Sequence, residues 1–166
     1  MRRAGFFYGQ NCDRREFMAR PKIYLPKSKR IIRRLIFHHF GASAPAGVDV
    51  PEIRHMHIHG RGWDDIGYHG VIFDDGFQSA RSVHNAGAHT WGFNRGAIGI
   101  LFYAGSPVGG VTRPTDRQLQ IAKAVIAEQR GYYGSSLEVL GHRDLRPTHC
   151  PGFDVPHWIK TNQIRG

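Results

Sequence analysis

A run of apolar residues near the middle of the chain predicts a strand covered on both faces. The run, Ala97-Ile98-Gly99-Ile100-Leu101-Phe102-Tyr103, contains no charged side chain, and nearly continuous apolar runs of this kind are typical of strands buried between two layers. A second short apolar run, Leu35–Phe40, ends at Gly41 and also predicts a buried strand. A sheet containing these strands needs other elements packed against it.

Helix and strand patterns alternate along the rest of the chain. Asp49 and Thr115 are capping residues for two of the helices, and Asp74-Asp75-Gly76 is a hairpin-turn sequence. The further predicted elements are strands at Tyr68–Phe73, Phe77–Arg81 and Leu137–Leu140, and helices at Val50–Gly60, from Thr115 to about Arg130, and at Val155–Gln163. This order predicts an α/β fold, a single domain with a mixed central β-sheet flanked by helices.

The length limits the chain to one domain with one sizeable core. Its 166 residues are too few for two ordinary domains and a linker. Residues 1–30 are polar, basic and without a clear period, so we interpret them as a basic N-terminal extension and residues 31–166 as the folded domain. Cys12 and Cys150 cannot form a disulfide scaffold. We therefore expect a reducing compartment, with no partner visible for Cys12.

No segment is apolar enough to predict a membrane span. A spanning helix needs roughly 18 to 20 uninterrupted apolar residues, and no stretch of the sequence approaches that length. The first residues, Met1–Phe7, contain no sustained apolar segment of the kind found in a secretory signal. We therefore expect neither a membrane span nor a signal peptide.

The charge balance favours polyanionic partners. Lys and Arg together number 23 against 13 Asp and Glu, a formal net charge of +10, and such a field attracts nucleic acid, anionic lipid or anionic cell-wall polymers. Several basic residues cluster between Pro26 and Arg34, but Pro21 and Pro26 interrupt the segment. Because the cluster forms neither a helical stripe nor an alternation with aromatic residues, a solvated extension is favoured over a nucleic-acid site.

Histidines and a cysteine suggest a metal site. Zinc binds imidazole and thiolate, and a catalytic zinc site uses three protein ligands. His142 and Cys150 lie in one loop, and His38-His39 ends the first predicted strand. Alternation along a strand puts His38 and His39 on opposite faces, so only one of them can face a metal. On the spacing alone, Cys150 is equally well interpreted as a small buried apolar residue.

A series of motifs in one order carries a family resemblance. The motifs are Ile36–His39, Gly62–His69, Gly87–Asn94, Ala97–Ile100, Gly141–Asp144 and Thr148–Gly152. In this order they resemble the zinc N-acetylmuramoyl-L-alanine amidases of the type-2 amidase and peptidoglycan-recognition superfamily, and the small phage lysozyme-type amidases are the most similar. The resemblance covers residues from about Leu35 to Trp158 and implies the fold of that superfamily.

The resemblance implies a zinc site and a catalytic tyrosine. It predicts one zinc per chain, bound by His38, His142 and Cys150, with His39 as a neighbour. Tyr68 matches the catalytic tyrosine of the family. Many phage amidases carry a catalytic lysine at the position of Thr148. The threonine here resembles the peptidoglycan-recognition branch instead, and it is predicted to supply a neutral donor.

The loop at 87–94 is expected to border the substrate groove. In the family this loop lies beside the bound substrate, so His89 and Asn94 are predicted to bind substrate, with loop anchoring as the alternative for each. Three further histidines, at positions 55, 57 and 59, form a His-x-His-x-His run. Because only the first and third share a side of the predicted helix, a second metal site is disfavoured.

The implied activity is hydrolysis of an amide in bacterial peptidoglycan. A zinc-activated water would cleave the bond between N-acetylmuramic acid and L-alanine, with Tyr68 donating to the oxyanion. We expect a monomeric phage or prophage endolysin that stays in the host bacterial cytoplasm until it is released to the periplasm or cell wall at lysis. Its basic surface would attract anionic envelope polymers.

Two other functions remain open from the sequence. A non-catalytic peptidoglycan-binding protein would share the fold, although such proteins often lack a zinc ligand. A phage amidase that also regulates a partner such as RNA polymerase would use the basic N-terminus for that contact. Deletion of residues 1–30 is expected to spare wall hydrolysis and to remove such a contact.

Overall fold

The fold is built on a five-stranded sheet with the strand order β3-β2-β4-β1-β7. A computed structural model describes residues 21–41, 47–103, 106–108 and 111–166, so Cys12 and the first part of the predicted extension lie outside the described residues. The strands are β1 (Arg34–His39), β2 (Gly70–Ile72), β3 (Phe77–Ser79), β4 (Ala97–Phe102), β5 (Ser106–Val108), β6 (Val111–Arg113) and β7 (Glu138–Gly141).

The sheet is mixed, as the sequence predicts. Strand β4 pairs in parallel with β1 and β2, β1 pairs in parallel with β7, and β2 pairs antiparallel with β3. The carboxyl ends of the parallel strands β1 and β7 therefore lie at the same edge of the sheet. This edge carries the candidate site, since ligands in such sheets bind beyond the carboxyl ends of the strands.

Helices cover both faces of the sheet. They are α1 (Val50–Arg61), α2 (Asp116–Tyr133) and α3 (Val155–Thr161). On β4, Ile98, Ile100 and Phe102 pack into the larger core with α2 and α3, while Leu101 packs into a second core with α1. Side chains of alternate residues thus enter opposite layers, and the apolar run is a central strand buried on both faces, as predicted.

The helix boundaries differ from the sequence prediction at their carboxyl ends. Helix α1 continues through Gly60 to Arg61 because Gly62, with φ of 67°, is the residue that adopts the left-handed conformation. Helix α2 continues past Arg130 to Tyr133, whose hydroxyl accepts a hydrogen bond from Ser28 N at 2.6 Å. Tertiary contacts therefore extend this helix beyond its sequence signals. Both predicted capping residues, Asp49 and Thr115, cap their helices, and each does so in a capping box.

Residues 21–30 pack against the domain. Leu25 is 2% exposed and belongs to the larger core, and its carbonyl accepts a hydrogen bond from Gln129 Nε2 at 2.9 Å. Ser28 Oγ donates to Val83 O at 2.6 Å. The domain boundary at residue 30 stays a prediction, but the last third of the predicted extension, residues 21–30, contributes to the core.

The hairpin β5–β6 has no counterpart among the predicted elements, and it forms a separate two-stranded sheet. The predicted strand at 68–73 is shorter, Gly70–Ile72. The last helix ends at Thr161, because Asn162 caps it in the left-handed conformation.

Among the described residues, none of the helices is long and apolar enough to cross a membrane.

Candidate metal centre and substrate groove

Three side chains from distant parts of the sequence meet at the carboxyl edge of the sheet. His38 lies near the end of β1, and His142 directly follows the neighbouring strand β7. Cys150 returns to this edge because its carbonyl accepts a hydrogen bond from Arg143 N at 2.7 Å. The candidate ligand atoms of His38, His142 and Cys150 all lie within 4.8 Å of one another. The cluster predicted from the family resemblance is therefore assembled.

His38 is the member of the His38-His39 pair that faces the cluster. Its side chain is 1% exposed, and its Nδ1 lies 3.7 Å from Cys150 Sγ. His39 is not part of the cluster, but its backbone N–H donates to the same sulfur at 3.3 Å. The first residue of the pair thus offers its ring, and the second stabilises the sulfur through its backbone.

The donor set fits zinc. Burial lowers the pKa of His38 and of His142, the latter also because the charge of Arg146 is close, so both imidazoles are held neutral with a lone pair to donate. Burial raises the pKa of the Cys150 thiol to about 12, and the hydrogen bond from His39 N opposes this shift. A buried thiol of this kind loses its proton when a cation binds. Two imidazoles and one thiolate leave a fourth position open, as in catalytic zinc sites.

His89 lies behind His38 and contacts its second ring nitrogen. His38 Nε2 is 3.1 Å from His89 Nδ1 and 3.3 Å from Thr90 Oγ1. Because Nδ1 of His38 faces Cys150, the ring proton belongs on Nε2. Either neighbour can accept a hydrogen bond from this N–H group. A partner of this type fixes the tautomer and the orientation of a metal-binding histidine.

Two glycines make room for the His89 ring. A Cβ on Gly99 would lie 2.4 Å from His89 Cδ2, and a Cβ on Gly87 would lie 2.5 Å from the same atom. Both distances are well below van der Waals contact, so any larger residue at these positions would displace the ring. The glycines of the Gly87–Asn94 and Ala97–Ile100 motifs thus place His89 against His38.

Asn94 shapes the loop that carries His89. Its Oδ1 accepts hydrogen bonds from the backbone N–H groups of His89, at 3.1 Å, and Thr90, at 2.8 Å. Asn94 therefore anchors the loop, which is the alternative role that the sequence left open for it. The His89 ring packs against His38. Contact of either residue with substrate stays a prediction, although both line the groove described below.

Tyr68 lies beside the cluster. Its ring centroid is 5.3 Å from that of His38 and 5.7 Å from that of His57. Burial and the nearby Cys150 raise the pKa of the phenol, so the hydroxyl keeps its proton. His57 Nδ1 accepts a hydrogen bond from Gly67 N at 3.1 Å and so fixes the segment that precedes Tyr68. His57 is outside the metal cluster, as predicted.

Thr148 lies at the mouth of the site, two residues before Cys150. Its Oγ1 accepts a hydrogen bond from Cys150 N at 3.2 Å, which leaves the hydroxyl proton available to another acceptor. Thr148 also lines the groove. The position therefore carries a neutral hydroxyl beside the cluster, and its role as a donor in catalysis stays a prediction.

A groove of about 680 Å³ opens beside the cluster. Aromatic and basic side chains form its walls, and Trp91 is 82% exposed. The lining residues are Arg61, Trp63, Ala88, His89, Thr90, Trp91, Asn94, His142, Arg146, Pro147 and Thr148. The groove reaches the cluster at His142.

Two further side chains fix the backbone near the cluster. The Asp144 carboxylate accepts a hydrogen bond from Gly141 N at 2.7 Å, and no ion pair joins it to Arg143 among the described residues. His69 is fully buried, and its Nδ1 accepts a hydrogen bond from Gly99 N at 3.0 Å.

Two arginines that were not predicted from the sequence support the site. Arg30 donates to the carbonyls of Val83, Asn94 and Ala97 at 2.8 to 3.2 Å. Arg146 donates from Nε to Trp91 O at 3.1 Å. Arg30 belongs to a basic cluster interpreted as solvated, and no local pattern distinguishes it from its exposed neighbours.

Solved structures with the same fold define the class of protein as the peptidoglycan amidases and peptidoglycan recognition proteins. The amidase LysC from Clostridium intestinale is 26% identical with a TM-score of 0.65, over 80% of this chain and 87% of that chain. The ectodomain complex of peptidoglycan recognition proteins LCa and LCx, solved with tracheal cytotoxin, is 28% identical with a TM-score of 0.66, over 85% and 88%.

The chain belongs to the N-acetylmuramoyl-L-alanine amidase family, whose model matches residues 28–153. The endolysin of Enterobacteria phage K11 is 33% identical over 130 residues, which span 76% of this chain and 85% of that protein. Residues 28–153, which the family model matches, contain all three residues of the metal cluster and Tyr68. The fold and family expected from the sequence motifs are thus confirmed.

Proposed function

We propose that the protein is a peptidoglycan hydrolase of the endolysin type that cleaves the amide between N-acetylmuramic acid and L-alanine. The observation that carries this proposal is the complete cluster of His38, His142 and Cys150, with Tyr68 beside it, in a chain of the amidase family. The similarity to phage endolysins over most of both chains supports the endolysin role.

The three residues of the cluster would hold one zinc ion. When bound, zinc polarises a carbonyl and lowers the pKa of water toward about 7, which supplies a nucleophile at neutral pH. The protein contributes neutral imidazoles, a buried sulfur stabilised by His39 N and an orienting contact from His89 to His38. These contacts fix the ligands before substrate arrives.

Tyr68 and Thr148 would donate hydrogen bonds to the oxyanion that forms when the amide carbonyl is attacked. Burial keeps the Tyr68 phenol protonated, so it can donate without first acquiring a proton. Thr148 Oγ1 is oriented by Cys150 N, and its own proton remains free. Donors oriented before the reaction stabilise a developing charge more than solvent does.

The complete cluster argues against a purely binding role, since a non-catalytic protein has no need of three converging ligands. The groove beside the cluster suits a muropeptide, and a related solved structure contains tracheal cytotoxin. We propose peptidoglycan as the substrate and a monomer as the active form. The site of action would be the bacterial cell wall, after release from the host cytoplasm, with the net charge of +10 favouring anionic envelope polymers.

Product analysis on purified peptidoglycan tests the proposal. Mass spectrometry is expected to find new amino-terminal L-alanine in the released fragments, with no new reducing sugar ends. Tyr68→Phe is expected to lower turnover by about 100-fold, the typical effect of removing one oxyanion donor, while leaving the bound zinc unchanged. New reducing ends, or wild-type turnover in Tyr68→Phe, would contradict the assignment.

A further inference from the structure

We propose that an exposed patch at the amino edge of the sheet, where the parallel strands begin, binds the surface of an anionic lipid bilayer. This amino-edge patch consists of Lys29, Ile31, Arg33 and Arg95. The inference goes beyond the proposed function, since it concerns a second surface and a partner other than peptidoglycan. Lipid binding needs neither a bound metal nor hydrolysis, so the two proposals can fail separately.

Exposure alternates along the segment that precedes β1. Lys29, Ile31 and Arg33 are exposed. Ile32 is 8% exposed and packs into the larger core, while the Arg30 guanidinium donates to backbone carbonyls of the domain. Alternation of this kind is typical of an extended backbone, which turns successive side chains to opposite sides. The outward side is therefore a row of a cation, an aliphatic side chain and a second cation.

Arg95 brings a third cation to the same place. Arg33 N donates to Gly96 O at 2.9 Å, which holds the residue after Arg95 against the segment, and Arg95 itself is exposed. Ile31, Arg33 and Arg95 line one depression of about 410 Å³, and none of the described residues that line it is acidic. Cations thus flank the Ile31 side chain.

The cations of the patch are not neutralised within the part of the chain that the structure describes. The ion pairs there use other arginines, at positions 34, 54 and 165. Glu138 lies near Arg33 in the neighbouring depression, but its carboxylate is paired with Arg34 at 2.7 Å. The patch therefore keeps its positive charge for an external anionic partner.

Ile31 favours a lipid surface over other anionic partners. It is 74% exposed, and among the large apolar side chains that are exposed in the described residues it is the aliphatic one. At a bilayer surface, burial of an apolar side chain and attraction of cations to anionic headgroups both contribute to binding. A nucleic acid would favour aromatic side chains that stack on its bases, and an anionic wall polymer offers no hydrocarbon layer for Ile31 to enter.

The patch and the metal cluster lie at opposite edges of the sheet. Arg33 immediately precedes β1, whereas His38 lies near the carboxyl end of that strand, about 16 Å further along at roughly 3.3 Å per residue. Gly96 likewise precedes β4, which runs parallel to β1. A bilayer bound at the amino edge therefore leaves the groove beside the cluster open, and the bound protein would present its proposed active site away from the membrane.

Co-sedimentation of the full chain with lipid vesicles tests the proposal. One set of vesicles contains phosphatidylglycerol and phosphatidylcholine in equal parts, and the other contains phosphatidylcholine alone. The variants are Ile31→Ser, Ile31→Leu and the double variant Arg33→Gln with Arg95→Gln. Lys123→Gln is the control for charge, because Lys123 is exposed and lies on α2, outside the patch. Soluble poly(glycerol phosphate), added as a competitor, supplies phosphate without a hydrocarbon layer.

We expect the wild type to bind the mixed vesicles and not those of phosphatidylcholine alone. Loss of one cation near an anionic surface lowers binding about fivefold, so the double variant should bind about 25-fold more weakly. Ile31→Ser should bind about fivefold more weakly, whereas Ile31→Leu retains the apolar side chain and should bind as the wild type does. Lys123→Gln should bind nearly as tightly as the wild type. Hydrolysis of soluble muropeptides should be unchanged in all variants, because none of these residues lines the groove.

Four results would overturn the inference. They are no binding of the wild type to the mixed vesicles, wild-type binding by Ile31→Ser, a loss in Lys123→Gln as large as in the double variant, and release of the wild type from vesicles by poly(glycerol phosphate) at an equal phosphate concentration. The last result would identify an anionic polymer as the partner. If vesicle binding follows the patch but the wild type cleaves no muropeptide, the proposed function fails and this inference stands.

Discussion

His38 Nε2 lies 3.1 Å from His89 Nδ1, so the candidate metal site extends one residue beyond its ligands. The contact determines which nitrogen of His38 is free to bind a metal. It also depends on glycine at positions 87 and 99, because any Cβ there would overlap the His89 ring. The Gly87–Asn94 motif and the Ala97–Ile100 motif therefore each contribute a glycine that leaves room for the same imidazole, that of His89.

Removing the acceptor on His89 should weaken metal binding. In His89→Leu, an apolar side chain of similar bulk fills the space of the His89 ring but cannot accept a hydrogen bond from His38. Loss of such a partner typically lowers metal affinity 10- to 100-fold. Competition with a chelating dye measures the zinc affinity. His89→Gln, which retains an acceptor, should lose less. Equal affinity in the Leu variant and the wild type would show that His89 is not needed to orient His38, with Thr90 Oγ1 left as its acceptor.

A methyl group on Gly99 should destabilise the fold. In Gly99→Ala the new Cβ would lie 2.4 Å from the His89 ring, so the ring or the strand must move, at a cost of about 1 to 3 kcal/mol in the free energy of unfolding. Gly60→Ala is the matched control, since a Cβ there meets open space and alanine is favoured within a helix. Urea denaturation measures both. If Gly99→Ala were as stable as Gly60→Ala, the packing account would be wrong.

The sequence predicted the strands of the five-stranded sheet and the helices from local signals, and the three clustered residues from the family motifs. The hairpin β5–β6 was not predicted. Alternation along β1 placed His38 and His39 on opposite faces, and the structure agrees. The roles of Arg30 and Arg146 were not predictable, because their hydrogen bonds go to backbone carbonyls more than 50 residues away. Every residue has a backbone carbonyl, so a single sequence does not show which of them accepts a hydrogen bond from an arginine.

Arg30 should stabilise the loop that carries His89. Its guanidinium donates to the carbonyls of Val83 and Asn94 at 2.8 and 3.2 Å. Arg30→Met should therefore lower the free energy of unfolding by about 2 kcal/mol, from several hydrogen bonds worth roughly 1 kcal/mol each. Exposed Arg33→Met is the control for charge and should change stability little. Equal stability of the two variants in urea would contradict this account.

The same contacts alter the expectation for a deletion of residues 1–30. Such a deletion removes the Leu25 side chain from the core and Arg30 from the His89 loop, so we expect it to lower stability and wall hydrolysis together. Any partner contact must therefore be tested with surface substitutions. Hydrolysis at the wild-type rate by a deletion variant that starts at residue 31 would show that these contacts are dispensable.

Buried histidines should make the metal-free protein sensitive to mild acid. Burial lowers the pKa of His57 and of His69 to about 4, whereas an unfolded histidine titrates near 6.5. The unfolded state therefore binds more protons between these values, and stability is complete above about pH 6.5 and is lost as the pH falls toward 4. Urea denaturation in chelator at pH 7.5, 6 and 5 measures the slope.

One substitution should reduce that slope. His69→Asn retains an oxygen acceptor for Gly99 N but does not titrate, so the dependence of stability on pH should fall by about one proton. Exposed His55→Asn serves as the control. A slope that is identical in the wild type and in His69→Asn would show that His69 does not contribute to it.

Zinc titration into the metal-free protein, with muropeptide hydrolysis measured after each addition, tests the central claim most directly. We predict that the rate of release of L-alanine amino termini rises in proportion to zinc and stops rising at one zinc per chain. We also predict that Cys150→Ser shows neither tight binding nor this rise. Full hydrolysis by the chelator-treated protein, or a wild-type titration curve in Cys150→Ser, would contradict it.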